Sequence, residues 1–443
     1  VLVVDHGSGE VLAWAVGGGG DPDGPRTYID AVTTPRQPGS ALKPFLYALA
    51  LDRGWSPAEI IDDAPLTEST SGGLHSYQNY SRRFYGPVTL RDALGNSLNI
   101  PALKTLQYVG AEAYLDRLHA LGFRGLDEHP DFYGDGIALG SGAVTLLDLV
   151  GAYAALANAG VYRPLSVLRD DARTRTARRV FSAEAASLIG NILSDPAART
   201  LEFGRDSVLN LPVQTAVKTG TSSDFRDAWA VGFDYRYAVG VWMGNLDDTA
   251  SDGVTGSTGP ALLLRSVFAS LERGKSTERL YLSPRLAERR VCVPLPESAA
   301  GGDGCIERDE WFLPGGEPAA AKGGEPAERA ASVSTADRGL LRPAGKESAR
   351  SSRPEPIRLR QPTPGLRLAY DPRLPADAQV FRFVLDGAAP DDRVDWVVDG
   401  ETVSCPAPEY RWAVTRGEHR VSAAVRRGGA LVAEIPEVAF EVK

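Results

Sequence analysis

Lysine is scarce in this chain: seven of its 48 basic residues are lysine, within 443 residues, so amine chemistry has few candidates. Cysteine is scarcer still, and three are too few for a disulfide scaffold. The five histidines (His6, His75, His119, His129, His419) are scattered without metal-ligand spacing and read as surface or packing residues. No metal and no cofactor is expected. No run of 18 apolar residues occurs, and no charged-then-apolar leader precedes the first strand-like run, so neither a spanning helix nor a signal segment is predicted. Gly17-Gly18-Gly19-Gly20 is followed by Asp21-Pro22-Asp23, which is a turn and not a nucleotide-binding loop. A net charge of −9 argues against nucleic acid as a partner.

Among the seven lysines, one has a serine three residues ahead of it, in Pro38-Gly39-Ser40-Ala41-Leu42-Lys43-Pro44-Phe45-Leu46-Tyr47. Pro38-Gly39 reads as a turn, and the apolar residues after it as a helix buried nearly all round. Positions i and i+3 share a helix face, so Ser40 and Lys43 can approach each other. A serine hydroxyl becomes nucleophilic when a neighbour takes its proton, and an apolar setting lowers a lysine pKa enough to do so. Alone, Ser-x-x-Lys is weak, expected about once or twice by chance at average composition. Two further motifs follow in order: Ser97-Leu98-Asn99, then Lys218-Thr219-Gly220-Thr221-Ser222. Acyl transfer needs a nucleophile, a proton acceptor, an oxyanion site and an anchor for a substrate carboxylate. Ser40 and Lys43 supply the first two. Ser97 can relay a proton to a leaving amine, and Asn99 can bind a substrate amide or hold Lys43. Lys218 adds an anchoring positive charge, Gly220 lets substrate approach the strand backbone, and Thr219, Thr221 and Ser222 suit a terminal carboxylate. The backbone N–H groups of Ser40 and Thr221 are the candidate oxyanion hole.

The pattern along the chain predicts an α+β domain, an antiparallel sheet flanked by helices, followed by a small all-β sandwich. Val1–Asp5 and Glu10–Val16 form a hairpin signal, residues 87–201 are mostly helical, and Val213–Thr219, Ala228–Phe233 and Tyr237–Met243 read as strands. Strands at both ends with helices between place Lys218 on a strand beside the Ser40 helix. We divide the chain into a catalytic domain (1–288), a cysteine-containing connecting loop (289–314), a flexible Gly/Pro/Ala-rich linker (315–357) and a C-terminal sandwich (358–443) with no catalytic constellation. Cys292 and Cys305 bracket a short Gly/Pro-rich stretch that a disulfide would close in an oxidising compartment, leaving Cys405 free. The alternative is three reduced thiols. Because the chain opens in the middle of a strand-like run, we expect an N-terminal portion to precede it.

The three motifs, with Tyr77-Gln78-Asn79-Tyr80, Gly86-Pro87-Val88-Thr89-Leu90-Arg91-Asp92-Ala93-Leu94 and Ala138-Leu139-Gly140-Ser141-Gly142, resemble the transpeptidase domain of class A, bifunctional penicillin-binding proteins. Phe225-Arg226-Asp227-Ala228-Trp229-Ala230, the cysteine segment ending Glu310-Trp311-Phe312-Leu313-Pro314-Gly315, and the C-terminal sandwich resemble one subgroup of that family. The resemblance implies a penicillin-binding serine D,D-transpeptidase that cross-links peptidoglycan stem peptides on the periplasmic side of the bacterial inner membrane. It also implies an upstream glycosyltransferase domain and an N-terminal membrane anchor, neither of which lies in this sequence. Expected partners are D-Ala-D-Ala donor peptides, an acceptor amine, β-lactams, and a cell-wall protein for the C-terminal domain. The alternatives are a D,D-carboxypeptidase or β-lactamase-type hydrolase, and a non-enzymatic β-lactam sensor. Against β-lactamase, Glu112 follows Ser97 too closely to serve as a deacylating carboxylate.

Overall fold

The structure is a computed structural model. It describes residues 1–17, 29–70, 73–168, 176–222, 225–245, 249, 251, 254–294, 305–313, 357–362, 366–368, 380–389, 392–405 and 409–442. The segment predicted as the linker lies almost wholly outside them. The chain divides into two units, Val1–Leu66 with Tyr77–Ala319, and Ala320–Lys443 with Thr67–Ser76.

In the first unit a five-stranded antiparallel sheet runs β2 (Glu10–Trp14), β1 (Leu2–Asp5), Tyr237–Gly244, Asp227–Phe233 and Ala216–Thr221, the last forming an edge. Alternate residues serve opposite faces, as a strand requires. Leu2, Val4, Trp229, Val231 and Ala238 join a large helical core, while Val3, Val217, Ala230, Val239 and Val241 pack with Leu264 and Phe268 of the Pro260–Leu271 helix. Ala216 lies in the large core, and the period of two turns Lys218 and Gly220 toward the same helical face.

The helix at the centre of that core is α1 (Lys43–Asp52), buried from Lys43 through Leu51. Ser40 does not sit in it. Gly39–Leu42 forms a 3-10 turn closed by the Lys43 N–H on the Ser40 carbonyl, because Pro44 has no N–H to make the α-helical bond there. Ser40 and Lys43 still stand three residues apart, across the junction. Two short helices follow, α2 (Leu90–Gly95), capped by the Thr89 hydroxyl, and α3 (Asn99–Val109); Ser97 lies between them.

The segment expected to be a connecting loop is a β-hairpin. Ala287–Pro294 pairs antiparallel with Cys305–Phe312 over eight residues each, and the structure joins Cys292 to Cys305 as a disulfide with Cα atoms 5.5 Å apart. Exposed charges at Arg289, Arg290 and Glu307 mask the strand alternation in the sequence.

The second unit contains a three-stranded sheet (Arg358–Gln361, Val380–Asp386, Glu409–Ala413) and a five-stranded one (Arg367–Leu368, Ala430–Val442, Gly417–Arg427, Arg393–Val398, Glu401–Cys405). Both contribute to one aromatic core with Phe381, Phe383, Trp396, Trp412 and Phe440, giving the predicted sandwich. Pairing is antiparallel except between Arg367–Leu368 and the last strand. Cys405 is a free thiol on an edge strand.

Candidate active site

The turn that carries Ser40 is fixed by groups from four directions. The Trp229 indole donates to the Gln37 carbonyl at 2.9 Å. The buried hydroxyls of Tyr153 and Tyr114 donate to the Ala41 and Leu42 carbonyls at 2.8 and 2.9 Å. Leu42 is the N-cap of α1, so these bonds add to the helix ladder and tie the turn to the core. From the sheet side, a Cβ on Gly220 would come within 2.2 Å of the Pro38 carbonyl, and one on Gly39, at φ +54°, within 2.3 Å of the Thr221 carbonyl. These two glycines allow the edge strand and the nucleophile turn to meet backbone to backbone. The missing side chain of Gly220 therefore makes room for the Pro38–Ala41 turn, not for substrate as its sequence context suggested.

Lys43 is wholly buried, and its Nζ donates to the carbonyls of Ser97 (2.7 Å) and Leu98 (3.0 Å) and to Asn99 Oδ1 (2.7 Å). Burial, then the charge of Lys218, hold its pKa well below the ordinary value, against the pull of Glu202 and Asp63. None of these bonds goes to Ser40, which is half-buried. Three acceptors suit an ammonium; a neutral amine keeps two and frees its lone pair.

Ser97 adopts φ +60°, a left-handed conformation that costs on the order of 1 kcal/mol in a non-glycine residue. That conformation lets one residue serve both lysines, its carbonyl taking Lys43 and its hydroxyl accepting Lys218 Nζ at 2.7 Å. Lys218 gives a second bond to the Thr219 carbonyl at 2.9 Å. It is 3% exposed, and burial and then Arg199 push its pKa down to about 7. The anchoring charge expected from the sequence is thus an interior amine on a serine hydroxyl.

Asn99 holds Lys43 with its carbonyl oxygen because its amide nitrogen is tied to the Gln78 carbonyl at 2.7 Å. Its backbone N–H donates to Asn79 Oδ1 at 2.8 Å, and Asn79 Nδ2 donates to both Asp63 carboxylate oxygens at 2.9 and 2.8 Å. Asp63 and Arg199 carry no motif of their own and were not named from the sequence. Asn79 was legible only as part of Tyr77-Gln78-Asn79-Tyr80.

The remaining motif residues divide. Thr221 is partly exposed, its Oγ1 accepting the Gly256 N–H at 3.2 Å. Thr219 is buried against Gly256. The Ser222 hydroxyl, expected to bind substrate, accepts the Asp227 N–H at 2.8 Å and closes the hairpin to the next strand. The Thr255–Thr258 turn that covers this end of the strand belongs to a stretch from which the sequence named no residues.

Residues 1–262 match the family described as "Penicillin binding protein transpeptidase domain". The chain belongs to that family. Residues 346–432 match a second family, "Penicillin-Binding Protein C-terminus Family". The subgroup resembled by the cysteine segment and the sandwich is that of penicillin-binding protein 1C. Penicillin-binding protein 1C of Escherichia coli K12 is 33% identical over 328 residues, covering 72% of this chain and 40% of that protein. Penicillin-binding protein 1A/1B of Bacillus subtilis is 31% identical over 267 residues, covering 55% of this chain and 28% of that protein. The chain thus spans less than half the length of these relatives. The crystal structure of penicillin-binding protein 1A from Haemophilus influenzae shares the fold with a TM-score of 0.60 at 23% identity, covering 72% of this chain and 53% of that one. The disulfide hairpin lies beyond the residues that match the transpeptidase family, so its contribution to the site has to be read from contacts.

Proposed function

We propose that this chain is the catalytic part of a peptidoglycan D,D-transpeptidase that works through a serine acyl-enzyme and is acylated by β-lactams. The observation that carries it is the linkage of two buried lysines through one serine: Lys43 on the Ser97 carbonyl and Lys218 on the Ser97 hydroxyl, beside Ser40. In the first step Ser40 Oγ attacks the carbonyl of the penultimate D-Ala, and its proton passes to the neutral Lys43 amine. The carbonyl oxygen becomes an oxyanion facing the N–H groups of Ser40 and Thr221. As the C–N bond breaks, the departing D-Ala nitrogen takes a proton through Ser97, with Lys218 behind it as the source. An amine from a second stem peptide then attacks the ester by the reverse path and releases Ser40. Thr221, a partly exposed residue, meets the terminal carboxylate in this reading. The same acylation by a β-lactam leaves no small leaving group, so the ester persists.

The address that goes with this activity is the periplasmic side of the inner membrane. Among the described residues no helix is long and apolar enough to cross a membrane. Glycan polymerisation belongs to the parent protein and not to these residues. The C-terminal sandwich, without a catalytic cluster among its described residues, serves as a docking module for a cell-wall protein.

The test is incubation with fluorescent penicillin, then with a D-Ala-D-Ala pentapeptide and an acceptor amine. A Ser40 adduct and cross-linked dimer support transpeptidation. Hydrolysed monomer alone would make the enzyme a carboxypeptidase, an adduct without peptide turnover would make it a sensor, and labelling that survives Ser40→Ala would remove the nucleophile assignment.

A further inference from the structure

Glu310, on the second strand of the disulfide hairpin, is wholly buried, and its carboxylate meets a guanidinium 219 positions away in sequence. Arg91 Nε donates to Glu310 Oε2 and Arg91 Nη2 to Oε1, both at 2.6 Å, a bidentate fork. Two further donors of Arg91 reach Asp195 at 3.2 Å and Asn191 at 2.7 Å, at the end of the Ala183–Ser194 helix, which packs on the edge strand bearing Lys218. Two residues earlier on the same hairpin strand, Arg308 donates to Asp92 at 2.9 Å and to the Thr89 cap of α2 at 2.8 Å.

All these contacts fall on α2, a helix of six residues. A helix so short has little stability of its own and lies where its neighbours put it. Its far end is seated on another surface, where Asn96 donates to the Ala198 carbonyl at 2.8 Å and accepts the Glu202 N–H at 2.9 Å. The next three residues are Ser97, Leu98 and Asn99, which make every hydrogen bond of Lys43 and one of the two made by Lys218. A tilt of α2 would move those acceptors together. A planar bidentate pair fixes direction as well as distance, which apolar packing does not.

We propose that the disulfide-closed hairpin Ala287–Phe312 is part of the catalytic unit, with Arg91 and Glu310 as positioning residues that aim Ser97 and Asn99 at the two lysines. This rests on the transpeptidase reading for its chemistry but not for its geometry, so the experiment reads both. The wild-type chain, Glu310→Gln and the double variant Arg91→Met/Glu310→Leu are compared for Ser40 acylation rate by fluorescent penicillin, thermal midpoint, and hydrogen exchange of the amides at Ser97–Asn99. Replacing both partners by apolar groups commonly restores stability lost by removing one. The expected result is that Glu310→Gln acylates at least about tenfold more slowly while folded. The double variant should regain its thermal midpoint yet stay slow, and both should exchange faster at Ser97–Asn99. Acylation that recovers together with the midpoint would reduce the pair to a structural support and overturn the proposal, as would unchanged exchange at Ser97–Asn99. A wild-type chain that is not acylated would sink the transpeptidase reading, and the exchange data would still decide whether the hairpin positions the loop.

Discussion

Lys43 and Arg91 are both buried basic side chains in the same unit, each held by several hydrogen bonds, yet they meet opposite partners. Around Lys43 the acceptors are two backbone carbonyls and an amide, all neutral, and the nearest carboxylates act only through space. Around Arg91 stand the Glu310 and Asp195 carboxylates in direct contact. Burial pulls down both pKa values. At Lys43 burial prevails and the proton becomes easy to lose; at Arg91 burial is outweighed by Glu310 together with Asp195 and Asp92, and the pKa is held above its ordinary value. Uncompensated burial makes a reactive amine, whereas compensated burial makes a fixed strut.

The sharpest way to break this contrast is to give the Lys43 site a group that cannot lose its proton. Lys43→Arg should slow acylation of Ser40 by about a thousandfold at neutral pH, since a general base contributes roughly that factor and arginine stays charged. Stopped-flow labelling with a fluorescent penicillin measures it, and a drop of less than tenfold would show that the proton goes elsewhere. The converse change attacks the strut. Arg91→Met strands the buried Glu310 carboxylate and should cost about 3–5 kcal/mol by urea denaturation, whereas Lys43→Met, which leaves only neutral acceptors, should cost about 1–3 kcal/mol. Equal costs would mean that the two cations are paired alike.

A smaller effect is expected at the disulfide, where Cys292→Ser with Cys305→Ser reopens a loop of 13-residue separation and should lower stability by about 2–3 kcal/mol. Smaller again is a shift in pH profile. The positive charge of Lys218 helps hold Lys43 neutral, so Lys218→Gln removes that push and the Lys43 pKa rises. The acid limb of the acylation profile should then move to higher pH; a limb that stays put or moves down would deny coupling between the lysines. Least of all should be felt on ending the chain at Gly315, after the hairpin and before the sandwich. Acylation should stay within about twofold of the full chain, because every residue proposed to act lies before that point.

The parts of the site that the sequence disclosed are those whose geometry is local. Ser40 and Lys43 are one turn apart, Ser97 and Asn99 are two residues apart, and Lys218 sits on an alternating strand. Their chemistry survives any reasonable error in the surrounding fold. Partnerships set by tertiary packing were invisible. Nothing in Asp309-Glu310-Trp311 distinguishes a wholly buried carboxylate from a solvated pair of acids, and nothing at Arg91 foretells a partner 219 positions downstream. Asp63 likewise reads as one of two surface acids, although it anchors Asn79 and through it Asn99. The strands Ile60–Asp63 and Gly86–Thr89 escaped notice because they are four residues long and one contains proline. The strands of the main sheet and, within the stretch 87–201, the helices Leu146–Ala157 and Ala183–Ser194 were legible because their apolar period is unbroken.

The meeting of peptide planes at Gly39 and Gly220 constrains how the molecule can change by substitution. Pro38 and Thr221 carbonyls occupy the space where side chains would start, so no substitution there can reshape the cleft without first separating the strand from the turn. At this joint, change is left to neighbouring side chains such as Thr221, whose Oγ1 meets the Thr255–Thr258 turn. A saturation library at the two glycines, screened for retained acylation, should return glycine alone, and a tolerated alanine at either site would show that this joint has slack.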